Sequence, residues 1–100
     1  MKVTLSGKEF TLRCDMRALA NAKKESDIDI NDLKEDAVQI GTLVYYMAQS
    51  GAKFAGVPFT YDLDDFLGLI DMGDMEAMTT ALVALLGGGE KTQKKAKASR

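Results

Sequence analysis

From Ala37 to Ala48 only Gln39, Gly41 and Thr42 are not apolar. A helix that is apolar on almost every side cannot lie on a surface in water. It has to be enclosed, either by the rest of its own domain or by a neighbouring chain. This one segment therefore sets the task for the remaining residues. In a chain of 100 residues there is material for one core and not for two, so the other elements are expected to pack around it.

The flanking patterns supply those elements. Val3 and Leu5 alternate with polar residues, as do Phe10 and Leu12, and Gly7-Lys8 between them offers the positive φ of a tight turn. The spacing predicts a β-hairpin over 2–13 with one apolar face, which two strands alone could not keep folded. Asp15 is a good N-cap for a helix over 16–25 whose apolar side is Met16, Leu19 and Ala20. Ser26 to Asp32 breaks the pattern. The central helix then runs over about 34–52, with Asp32 and Glu35 in the arrangement of a capping box. Gly56 and Val57-Pro58 mark a loop. Asp62 opens a helix over 63–72 with Leu63, Phe66, Leu67 and Ile70 on one face. A last helix over 75–86 carries Met75, Met78, Leu82 and Leu85 on a stripe, and Gly87-Gly88-Gly89 stops it. The expected fold is mainly α, a small α+β domain over 1–89: an N-terminal β-hairpin followed by four helices packed as a small bundle. Residues 90–100 contain no Leu, Ile, Val or aromatic side chain and are expected to form a flexible basic tail.

The charge is segregated along the chain. Residues 1–89 hold eight Lys/Arg against fourteen Asp/Glu, a net −6, while residues 90–100 hold five against one, a net +4. An acidic body with a basic end bears on the choice of partner. Lys91, Lys94, Lys95, Lys97 and Arg100 form an electrostatic tail without an aromatic residue for base stacking, and the body beside it repels phosphate. Nucleic acid is therefore not the expected partner. No apolar run reaches the length of a membrane helix. The N-terminal residues lack the apolar core of a signal peptide, and the single Cys14 cannot form an internal disulfide. A cytoplasmic setting with no membrane contact is expected, with Cys14 as a small hydrophobe at an element boundary.

Catalytic chemistry finds no foothold. There is no histidine, which removes Ser–His and Cys–His nucleophiles and, with one cysteine, zinc sites. Asp27, Asp29 and Asn31 begin like a calcium loop, but Asp32 stands where Gly is required and Val38 where Glu is required. The carboxylates at Asp62, Asp64, Asp65, Asp71, Asp74 and Glu76 fall at helix starts, where they complement the dipole. Gly87-Gly88-Gly89-Glu90-Lys91-Thr92 lacks the Gly directly before Lys that a phosphate loop needs, and it follows a helix rather than a strand. No catalytic residue, metal ligand or cofactor is assigned, and the chain is expected not to be an enzyme. What remains is binding. Tyr45, Tyr46 and Met47 lie midway along the over-apolar central helix, through which the chain could also self-associate. Met72, Met75 and Met78 cluster at the last helix junction, and methionine suits surfaces that adapt to varied apolar segments.

The hairpin words Leu5-x-Gly7-Lys8-Glu9-Phe10-x-Leu12-Arg13, followed by Asp15-Met16-x-Ala18-Leu19, resemble the opening of the small tail assembly chaperones of long-tailed bacteriophages and prophages. The resemblance extends over about residues 3–88 through the apolar helix and Leu63-Asp64-Asp65-Phe66-Leu67-Gly68-Leu69-Ile70-Asp71 to a charged C-terminus. Lys23-Lys24 departs from it, since many members carry acidic residues there. It implies a non-enzymatic protein of the host cytoplasm that binds the elongated tape-measure protein, keeps it soluble, helps recruit tail-tube subunits and is absent from the finished virion. Two other expectations compete with it: a head–tail connector or minor tail component retained in the particle, and a nucleic-acid-binding regulator acting through the tail.

Overall fold

The computed structural model describes residues 1–29 and 36–86. It is mainly helical, with β1 (Lys2–Leu5) and β2 (Lys8–Thr11) followed by α1 (Met16–Ser26), α2 (Ala37–Ala55), α3 (Leu63–Leu69) and α4 (Met75–Leu86). A short 3-10 turn over Met72–Asp74 joins α3 to α4. The expected capping box at Asp32, the later part of the calcium-like stretch, the glycine run and the basic tail lie outside the described residues.

β1 and β2 pair antiparallel with Val3 opposite Phe10 and Leu5 opposite Lys8. The turn between them is therefore Ser6-Gly7 rather than Gly7-Lys8. Both residues have positive φ, 50° at Ser6 and 77° at Gly7, the signs a two-residue hairpin turn needs to follow strand twist. Val3, Leu5, Phe10 and Leu12 all turn to one side and are buried, as the alternation predicts.

Asp15 begins α1 by accepting a hydrogen bond from the Ala18 N–H at 2.9 Å. The buried face of α1 is Ala18 and Ala22, not Met16 and Ala20, and Met16 is 79 % exposed. Two alanines one turn apart let α1 lie close against α2, and that proximity excludes the longer side chains from the contact. Asp27, in the left-handed region, ends the helix. Its N–H bonds to the Lys23 carbonyl and the next N–H to that of Ala22, which turns Ile28 into the core.

α2 starts three residues later than expected, at Ala37, because Asp36 is its cap and donates no helical turn of its own. The carboxylate of Asp36 accepts from the N–H of Val38 and Gln39. α2 is the axis of the molecule, with an unbroken buried stretch from Ile40 to Ala48 and again from Ser50 to Ala52. α1, the hairpin, α3 and α4 all pack around it, so the domain itself provides the enclosure that the apolar pattern demands. The strand exit crosses α2 at Gly51. A Cβ there would stand 2.1 Å from the Thr11 carbonyl oxygen, and nearby the Arg13 N–H bonds to the Met47 carbonyl at 3.0 Å. Next to this crossing, the buried Ser50 hydroxyl sits 2.7 Å from both oxygens of Asp15 and shares its one proton between them. Arg13 closes the group, with Nε 3.1 Å from Asp15 and its guanidinium 3.7 Å above the Phe54 ring.

α3 ends at Leu69, three residues before the expected boundary, and Ile70 caps it with an extended backbone. Phe66 on its inner face is fully buried and meets Phe10 and Tyr45 edge to face at 5.2 and 5.5 Å. Phe59 and Tyr61 from the preceding loop complete this aromatic cluster. α4 buries Met78, Ala81 and Leu82. Among the described residues no helix is long and apolar enough to cross a membrane.

Candidate partner-binding surface

The start of α2, the end of α3 and the 3-10 turn come together at one end of the molecule. Asp36 caps α2 so that Val38, one position into the helix, faces water and is 64 % exposed. Gly41, one turn on, lets α3 lie close. The space a Cβ would take is 3.2 Å from Leu67 and 3.4 Å from Ile70. The turn after α3 is held by Asp74, whose carboxylate accepts from the Asp71 N–H at 3.0 Å and from the Ser6 N–H at 3.3 Å. The Ser6 hydroxyl also donates to the Leu69 carbonyl and lies 3.3 Å from Asp71. The hairpin tip thereby pins the α3–α4 junction and leaves Met72 standing out, 77 % exposed.

Val38, Gly41, Leu67, Ile70, Met72 and Met75 line a shallow apolar depression of about 150 Å³ at this end. Acidic residues flank it in the chain: Asp36 before Val38, Asp71 before Met72, and Asp74 and Glu76 on either side of Met75. Between Lys53 and Glu90 the sequence has six acidic residues and no basic one. An apolar floor with an acidic border can take an apolar segment edged by Lys or Arg, the floor providing affinity and the border raising association rate and selectivity.

Of the six residues singled out from the sequence, the structure places Met72 and Met75 on this surface and four elsewhere. Met47 and Met78 are fully buried, and Tyr45 and Tyr46 are 7 % and 4 % exposed. These four are core residues, which corrects their assignment to a partner surface. Tyr45 sits inside the aromatic cluster, with its hydroxyl donating to the Tyr61 carbonyl at 3.4 Å, and the Tyr46 hydroxyl is 2.9 Å from that of Ser26. Their outer edges line a polar hollow of about 410 Å³ with Glu25, Gln49 and Asp62, not an apolar face. Burial, aided by the neighbouring Tyr46, Asp62 and Glu25, pushes the Tyr45 phenol above its ordinary pKa. The middle of α2, through which self-association was expected, is covered by the chain's own elements. Lys91, Lys94, Lys95, Lys97 and Arg100 lie outside the described residues. Val38, Leu67 and Ile70 join Met72 and Met75 here without any sequence signal for binding. Periodicity marks them as apolar, and only the packing of α2 against α3 decides that their outer sides stay uncovered.

Among the described residues there is no group of three or more His, Cys, Asp or Glu placed to hold a metal ion. Cys14 is half-buried, and burial, with Asp15 beside it, raises its thiol above the ordinary value. No family model, no curated protein and no solved structure matches the chain.

Proposed function

We propose that the protein is a non-enzymatic tail assembly chaperone of a long-tailed phage or prophage. It acts in the cytoplasm of the bacterial host, holding the tape-measure protein in soluble form and helping to recruit tail-tube subunits. The observation that carries this reading is the exposed, methionine-bearing apolar depression at the α2–α3–α4 end, on a body with an acidic border. A chaperone for a long helical client needs an apolar surface that tolerates varied side chains, and methionine supplies that tolerance at little conformational cost. The sequence resemblance supplies the client's identity.

Co-expression with the tape-measure protein of a long-tailed phage or prophage that carries this chain tests the reading. The client is expected in the soluble fraction with the chain and in inclusion bodies without it. An insoluble client in both cases overturns the proposal. Mass spectrometry of purified particles separates it from a connector or minor tail component: a chaperone is absent from mature virions, and a stoichiometric amount of the chain in them would establish the structural role instead.

A further inference from the structure

The elements around the methionine depression decide what kind of chain it can hold. Every residue that lines it belongs to α2, to α3 with its cap, or to the turn that leads into α4. None is on a strand, so no open strand edge is offered to an extended segment. None is aromatic, so there is no platform for a proline-rich segment. Recognition there rests on side-chain packing alone, which is how an amphipathic helix lies in a groove. At about 150 Å³ the depression suits a pair of apolar side chains at i and i+4 on such a helix, and Met72 and Met75 adapt to their shapes.

The border selects the charge of that helix. Asp36, Asp71 and Glu76 are exposed and Asp74 is half-buried, and each adjoins a residue of the floor in the chain. The ion pairs among the described residues are Lys2–Glu9, Arg13–Asp15 and Lys23–Asp29. None involves the four border carboxylates, whose charge is therefore left uncompensated there. Hydrogen bonds fix two of them in place, Asp36 on the Val38 N–H and Asp74 on the N–H groups of Asp71 and Ser6. We propose that the depression binds an amphipathic helix whose apolar stripe is edged by Lys or Arg, and that it discriminates against the same helix edged by Asp or Glu. This deepens the chaperone reading and rests on it in one respect, that the helix is a segment of the client. The bases meet the carboxylates at an exposed rim, where each contact is weak, so together they govern association rate and choice of partner more than affinity.

Titration of the intact chain with blocked helical peptides of about 16 residues tests the proposal. All carry the same Leu stripe at i, i+3, i+4 and i+7, and its edges are Lys in one peptide, Glu in the second and Gln in the third. Affinity is read from the Met72 methyl resonance by NMR, which leaves out contacts made elsewhere on the chain. The Lys-edged peptide is expected to move the Met72 and Met75 methyl signals and to leave those of the buried Met47 and Met78 in place. It is expected to bind about tenfold more tightly than the Glu-edged peptide, and raising salt from about 50 to about 500 mM is expected to shrink that preference several-fold. Glu76→Lys is expected to narrow the gap between the two peptides with the melting temperature unchanged. Equal binding of all three peptides, shifts confined to other methyl groups, or a preference that neither Glu76→Lys nor Asp71→Asn alters would each overturn the proposal. The solubility of the client is a separate result. A client kept soluble by a chain without charge preference sinks this inference and leaves the chaperone reading standing, whereas a clear preference with an insoluble client sinks the chaperone reading alone.

Discussion

Two residues carry constraints out of proportion to their size. At Gly51 the Thr11 carbonyl oxygen occupies the place of a side chain. Backbone on both sides of the contact cannot rotate away as a side chain can. Gly51→Ala is expected to cost about 2–3 kcal/mol, net of the helix propensity that alanine adds. Gly41→Ala meets only the flexible ends of Leu67 and Ile70 and is expected to lie within about 1 kcal/mol of the parent, and urea unfolding of the two variants makes the comparison. At Asp15, the hydrogen bond from Ser50, followed by those from the Ala18 N–H and Arg13, outweighs burial and holds the carboxyl below its usual pKa. A carboxyl depressed in the folded state stabilises fully above the unfolded value near ~3.9, and that stabilisation is lost as pH falls through the folded value. Asp15→Asn keeps a competent helix cap, so its deficit in urea midpoint is expected to be larger at neutral pH than in acid below that range. Ser50→Ala leaves the Asp15 carboxylate short of a donor in a half-buried setting and is expected to cost about 1–3 kcal/mol.

At the scale of elements, the α3–α4 junction divides the methionines by role. Met78 on the inner stripe of α4 has no exposed surface, whereas Met72 on the 3-10 turn is mostly in water. Met78→Asp buries an unpaired carboxylate at a cost of several kcal/mol, a large part of what a domain this small possesses. It is expected to unfold the protein at neutral pH, seen as loss of far-UV signal. Met72→Asp is expected to leave the melting temperature within a few degrees of the parent while reducing the client held in the soluble fraction. If Met72→Asp holds the client as well as the parent does, the depression is not the binding surface. α1 shows a different limit of periodicity. Met16, Leu19 and Ala20 share a face by spacing, but Ala18 and Ala22 take the contact. The tight approach of α1 to α2 favours the smallest side chains, and spacing alone contains no information about that distance.

For the molecule as a whole, every element borders the same core around α2, and the aromatic cluster draws one ring or more from β2, α2, the 59–61 loop and α3. Such a core has no part that can melt while the rest survives. Urea unfolding is expected to give one cooperative transition, with the near-UV signal of Tyr45, Tyr46 and Tyr61 overlaying the far-UV signal of the helices. Non-coincident curves would show that the hairpin or α1 forms a separate unit.

The hairpin with its apolar face, the order of helices after it, the caps at Asp15 and Asp62 and the enclosure of α2 were all legible in the sequence, because each follows from local periodicity or from a residue beside its own helix start. The α2 cap at Asp36 and the turn at Ser6-Gly7 were displaced by a few residues, as boundaries are where several capable residues adjoin. Which apolar residues stay uncovered was decided only by tertiary structure. Met78 and Met72 are the same side chain six positions apart, and Tyr45 and Val38 belong to the same apolar helix. Burial depends on what packs across a residue from distant parts of the chain. Pattern marks the methionines as candidates, and only the packing of α3 on α2 and of the hairpin tip against the α3–α4 junction separates surface from core.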